Sequence, residues 1–335
     1  MTTLQRSQAI VIVGAGIIGL DVALVLAERG LGSCTTVIAH FMPGDTAPEY
    51  TSPWAGCNFS GISGSDDKAL RWDQLGYAHL GKLATETGDS AFVARTPSIE
   101  YWDVDAPYAK IKASSAYLED FRMLPTEQLP SGVECGISCT TLTVNAPRHL
   151  LYLQQRLQDQ HGVHFVRRRL DNIDAAFTSP STRVVFNCTG NAARTLPGVE
   201  DLKCYPTRGQ VVLAKAPSAT HNMMRHGRDY ETDCATYAYE TESILARTMA
   251  LSPQLRHSSF EVLAAFSGLR PSREGGARVE RADISIDGEK RAVVHNYGAG
   301  GTGFQAGYGM AVDAVDAAAD VLREIQEGTT HLSRL

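Results

Sequence analysis

One arginine late in the chain stands where its charge needs explaining. Arg270 lies in Gly268-Leu269-Arg270-Pro271-Ser272-Arg273, directly after the apolar run FEVLAAFS and directly before a proline. Arginine cannot shed its charge and is rarely buried without a partner. Pro271 biases Arg270 itself toward an extended backbone. The stretch therefore predicts a buried-looking strand that holds one cation still for an anion.

Other stretches could hold anions through backbone amides. Gly14-Ala15-Gly16-Ile17-Ile18-Gly19 follows an apolar strand at 9–13, opens an amphipathic helix reaching about Arg29, and precedes a second strand at 36–39. In such a βαβ opening Gly14 allows the turn, Gly16 lets the backbone approach a pyrophosphate, and Gly19 permits close helix–strand packing. The acidic residue expected after the second strand is absent, since the chain reads Ala39-His40 there. Three more small-residue turns occur: Pro53 to Asn58, Phe186 to Gly190, and Asn296 to Gly303. One such turn suggests NAD; several spread over the chain suggest a longer dinucleotide such as FAD.

The elements that must position these turns are legible from periodicity. Helices are predicted over 69–87, over 147–161 and from about Thr302, and short strands at 163–167 and 184–187. The stretch TYAYETESILARTMAL reads as the entry of a helix. No internal repeat or low-complexity linker separates domains.

The 335 residues suit one large or two medium domains, and 43% hydrophobic content is that of an ordinary globular protein. A net charge of −6 without a concentrated basic surface argues against a nucleic-acid or membrane partner. The basic cluster Arg167-Arg168-Arg169 reads as a solvated strand end. Seven scattered cysteines without a CxxC pair fit free thiols and no metal site. The apolar run at 9–27 carries glycines and Asp21, and so reads as strand, turn and helix rather than a membrane span.

The stretches VIVGAGIIGL, SPWAGCNF, NCTGNAARTLPGVED, YPTRGQVV, GLRPSREGGARVE and VVHNYGAGGTGFQ occur in the order found in the D-amino-acid oxidase family, and the chain resembles a fungal member from residue 9 onward. The resemblance implies an α/β fold, with a Rossmann-like FAD domain and a substrate domain built on a large mixed sheet. The FAD domain would take 1–65, 145–200 and 280–335, the substrate domain 66–144 and 201–279. FAD contacts would fall on Ala15, Gly16, Ile18, Thr51, Ser52, Gly56, Asn58, Leu170, Thr189, Gly190, Gly300, Gly301 and Thr302. Arg270 would bind the α-carboxylate of a D-amino acid, the Gly301 carbonyl would accept from its amine with support from Gln305, and Tyr230 matches a tyrosine near the active-site lid. The reaction implied is hydride transfer from the α-carbon to flavin, with oxygen as the final acceptor and hydrogen peroxide as a product. The ending Ser333-Arg334-Leu335 resembles the address read by the peroxisomal import receptor, which predicts a peroxisomal location. A homodimer is compatible with the sequence.

The chain also departs from the family. Where a tyrosine should lead into an IPRP-like strand and then a GG-containing strand, it reads MMRHGRDYETDCATYAYETESIL. A segment long enough for two or three strands is missing near 232–233, and with it the main tyrosine partner of the substrate carboxylate. Tyr237 and Tyr239 are candidates for that vacancy, though packing or solvated roles fit them as well. Arg225 could meet a side-chain carboxylate, which would make the substrate D-aspartate. A shortened isoform that only binds FAD is a third expectation, and an NAD-dependent dehydrogenase a poorer one.

Overall fold

The fully apolar strand β1 (Ile10–Val13) is buried on both faces, with helices over one side of its parallel sheet and the segment 170–199 packed on the other. The computed structural model describes residues 8–60, 66–104, 108–226, 236–286 and 288–332. Tyr230 and the Ser333-Arg334-Leu335 ending therefore lie outside the described residues.

After β1 the chain forms α1 (Ile17–Glu28), β2 (Thr35–Ala39), α2 (Asp67–Glu86), β3 (Val93–Trp102), α3 (Tyr108–Ser115), β4 (Glu119–Met123) and β5 (Cys135–Val144). It continues through α4 (Ala146–His161), β6 (His164–Arg167), β7 (Val184–Asn187), β8 (Cys204–Lys215), β9 (Asn222–His226), α5 (Ala238–Leu251) and α6 (Pro253–Arg256). The last elements are β10 (Glu261–Arg273), β11 (Arg278–Ile286), β12 (Glu289–Tyr297), α7 (Gly303–Asp316) and α8 (Ala319–Leu332). Local signals explain several ends. Asp66 caps α2 by accepting from the Ala69 amide, and Asn145 caps α4, with Pro147 in its first turn.

The strands form three sheets. A six-stranded sheet runs β11-β12-β7-β1-β2-β6, parallel except for the β11–β12 pair, and it packs α1, α4 and α7 over one face. A mixed sheet of four strands runs β4-β5-β3-β9. The third is a two-stranded antiparallel ribbon of β8 and β10.

The ribbon departs from expectation. The apolar run before Arg270, which reads as buried, is exposed over 261–265, with Leu263 53% accessible. Leu213 on the partner strand is 51% accessible, and α5 buries no residue. The physical reason is topological: among the described residues no further strand joins the ribbon to the outer edge of β9. Polar contacts hold α5 to β8 instead. Arg208 forms a two-pronged ion pair with Glu240, and Gln210 bonds both the amide and the carbonyl of Tyr237.

Three imidazoles are buried neutral. Burial lowers His79 to about 3 and His149 and His295 to about 4, from an ordinary 6.5. The unfolded chain protonates these rings below 6.5, whereas the folded chain resists until about 4. Stability is therefore full above 6.5 and declines as the pH falls toward 4, by about 1.4 kcal/mol per pH unit for each ring. Thermal melts should show Tm dropping steeply between pH 6.5 and 4.5; a flat Tm there would contradict the assignment.

Candidate functional site

The turn between β1 and α1 is built for close backbone approach. Gly14 has φ +110°, and a side chain on it would strike the Cys188 carbonyl at the end of β7. Across Gly16 the Ser52 hydroxyl lies 2.9 Å from where a Cβ would stand, and it accepts from the Ile17 amide at 3.0 Å. The N-terminus of α1 has no acidic residue in its first turn, so its partial positive charge is left for a ligand. The Tyr50 hydroxyl donates to the Ala15 carbonyl at 2.6 Å, and burial pushes that phenol well up, which keeps it a donor. Ile18 packs inward against the α7 side. These features fit a pyrophosphate lying across the turn.

The other predicted cofactor residues gather around the same strand ends. Thr189 donates from its amide and hydroxyl to Asn187, and Gly190 lies against Pro271. Ser272 bridges to Ala299, and Gly300, exposed Gly301 and Thr302 form the turn that leads into α7. The Thr51 hydroxyl donates to the Leu269 carbonyl at 2.7 Å, which ties the loop to the residue before Arg270. Gly56 is open to solvent, and Asn58 donates to the Met224 sulfur at 3.4 Å, facing the four-stranded sheet. Leu170 packs on the opposite face of the six-stranded sheet, with Val13 and Ile38. His40 occupies the place of the missing acid; it stacks on Phe41 and its carbonyl accepts from Arg167, whose side chain also pairs with Asp45 in solvent.

Arg270 comes to this junction as an exposed cation, not the buried one its sequence suggests. Among the described residues its one hydrogen bond is a long 3.4 Å donation to the Arg208 carbonyl, and no carboxylate there lies within ion-pair distance. A Cβ on Gly209 would lie 2.6 Å from its guanidinium, so only glycine leaves room for it. Arg270 is opposite Thr207, and Trp54 packs on Phe266 at 4.7 Å and against Gly268, residues that share its face by strand alternation. Arg273, in contrast, is paired with Asp201 at 2.8 Å. Bonds from Arg273 and the Tyr297 hydroxyl outweigh burial and hold the Asp201 carboxyl below its usual range.

Three expectations need correction or closure. Gln305 does not support the substrate amine: its amide is buried, accepts from the Ser60 amide and donates to the Ser60 carbonyl and to Asp73. Tyr237 and Tyr239 do not fill the tyrosine vacancy. Tyr237 lies over the Arg208 guanidinium at 5.2 Å and stacks on Tyr239, and Arg208 is opposite Leu269, so both rings are on the face of the ribbon away from Arg270. Arg225 is paired with Asp103 at 2.7 Å, on the opposite side of β9 from Met224.

Sequence reasoning missed Asn191, Trp54 and Phe266. Asn191 joins Thr51 in holding the Leu269 carbonyl, at 2.9 Å. Its signal was available, since it lies two residues after Thr189 in a small-residue turn. The Trp54–Phe266 contact joins residues far apart in sequence and had no local signal.

The parallel sheet and its glycine turns are those of a dinucleotide-dependent oxidoreductase. The family model DAO, FAD dependent oxidoreductase, matches residues 9–239. A D-amino-acid oxidase of Schizosaccharomyces pombe is 41% identical, covering 94% of this chain and 97% of its own length. A D-aspartate oxidase of Talaromyces thermophilus is 28% identical, covering 92% and 94%. Glycine oxidase from Geobacillus kaustophilus shares the fold, with TM-score 0.68, 16% identity and 94% coverage of both chains. The chain belongs to the D-amino-acid oxidase family of FAD dependent oxidoreductases.

Proposed function

We propose that this chain catalyses the FAD-dependent oxidation of D-amino acids to 2-oxo acids and ammonia, with oxygen reduced to hydrogen peroxide. The observation that carries the reading is Arg270, a cation without a carboxylate partner among the described residues, held where the ribbon meets the glycine turns. Bound FAD supplies the acceptor for the hydride that leaves the substrate α-carbon. Residues at the turns, Gly14 to Ile18, Thr51, Ser52, Thr189, Gly190 and Gly300 to Thr302, would hold it. Arg270 binds the α-carboxylate through paired N–H groups, which a planar, permanently charged guanidinium does better than an ammonium. The Gly301 carbonyl accepts from the substrate amine, and the Trp54–Phe266 pair forms an apolar wall beside Gly268 on the same face of the ribbon.

D-Aspartate is the weaker reading, because the Arg225 that would receive its side chain is occupied by Asp103. Peroxide release from D-alanine, L-alanine and D-aspartate tests both points. Release from D-alanine alone, or clearly above D-aspartate, supports the proposal; faster release from L-alanine overturns it.

A shortened substrate domain is part of the proposal. Alignments to the two oxidases above span 342 and 359 positions, more than the 335 residues of this chain, so both relatives carry residues it lacks. The family match stops at residue 239, close to where β9 and the ribbon part company. Substrate would then be held by Arg270 without the tyrosine partner, and turnover would fall well below that of the longer enzymes.

A further inference from the structure

Gln305, Asp73 and Lys110 form a buried polar chain that the reaction does not use. The Lys110 ammonium donates to Asp73 at 2.5 Å, and both side chains are almost inaccessible, at 4% and 0%. Asp73 accepts in turn from Gln305 at 3.0 Å, and Gln305 grips the Ser60 backbone from both sides, at 3.2 and 3.0 Å. These four residues come from α3, α2, α7 and the end of the loop that carries Thr51, Ser52, Gly56 and Asn58.

Phe59 packs that loop end against α2 and β5, and its backbone bonds to Leu142 and Thr141. A cavity of about 10 Å³ lies beside Ser60, lined also by Lys110, Glu100 and Ser114, and the Ser60 hydroxyl has no partner among the described residues. The orientation of the Gln305 amide therefore matters. A carboxylate at Asp73 accepts only, so it fixes which end of the amide donates, and the other end is left to accept from the Ser60 amide. The Lys110 side chain pairs with that carboxyl group in a dry site, where each would be costly to bury alone.

We propose that Lys110 is a positioning residue for the cofactor: through Asp73 it sets the Gln305 amide, and through Gln305 it fixes the loop and the α7 turn that flank the flavin. The proposal rests on the reading of residues 14–18, 51–58 and 300–302 as a FAD site. Lys110→Met removes the cation, Lys110→Gln keeps a neutral donor, and Asp73→Asn with Lys110→Met leaves no unpaired charge should the single variant fail to fold.

The test is the Kd for FAD, followed by quenching of flavin fluorescence on titration with the full-length apoprotein, alongside kcat at saturating FAD. Lys110→Met and the double variant should bind FAD at least tenfold more weakly while kcat changes less than threefold. Lys110→Gln should recover most of the loss. Folded variants that bind FAD as tightly as the native chain would reduce the network to a stability device and overturn the proposal. A native chain that takes up no FAD would instead remove the cofactor reading, and this proposal with it.

Discussion

Replacing Arg270 with methionine should lower kcat/KM for a D-amino acid by about tenfold to a hundredfold, because hydrogen bonds to a charged group contribute about 1.5–3 kcal/mol. The reason is in its surroundings. Gly209 makes room for the guanidinium, Thr51 and Asn191 hold the preceding carbonyl, and no carboxylate among the described residues neutralises it. Arg270→Lys should fare only somewhat better, since an ammonium cannot present two parallel donors to a carboxylate. FAD affinity should change less than threefold in both variants. Steady-state kinetics with D-alanine, read beside the flavin content, separates these effects; a variant with normal kcat/KM would remove Arg270 from the substrate site.

Gly14→Val should abolish cofactor binding and much of the soluble protein. The added side chain would meet the backbone carbonyl of Cys188, which cannot swing away as a flexible side chain could, and the native φ of +110° is strained for any L side chain. Such overpacking costs about 1–3 kcal/mol or more, a large part of an ordinary domain's stability. The flavin absorbance of the purified variant, normalised to protein, is the measurement. A yellow, stable Gly14→Val protein would mean that the turn is looser than its contacts indicate.

Most of the flavin half could be read directly from sequence, because its determinants are local. An apolar strand, a glycine turn and a helix specify one another within thirty residues, and β1, α1 and β2 fall where periodicity placed them. The helices α2 and α4 and the strands β6 and β7 follow the same logic. The extended backbone at the arginine of GLRP was legible for a similar reason, the following proline being a local fact, whereas its exposure was not.

The substrate half was less legible, since its structure depends on pairing between distant strands. FEVLAAFS reads as buried by composition, yet burial requires neighbouring strands, and among the described residues β10 has only β8 beside it. Gln305 reads as a site residue by its place in a motif; what decides its role is Asp73 on another helix and Lys110 beyond it. Tyr237 reads as a replacement partner by residue type, and the register of the ribbon puts it on the wrong face. The deciding facts in all three cases are long-range contacts that no local pattern encodes.

The central claim is that a D-amino acid bound at Arg270 reduces a flavin held by the glycine turns. Anaerobic mixing of the FAD-loaded protein with D-alanine, followed at the flavin absorbance band, tests it most directly. D-Alanine should bleach the flavin slowly, L-alanine should not, and D-alanine should bleach Arg270→Met far more slowly still. Flavin that remains oxidised with D-alanine and every other D-amino acid tried, or that L-alanine bleaches faster, would contradict it.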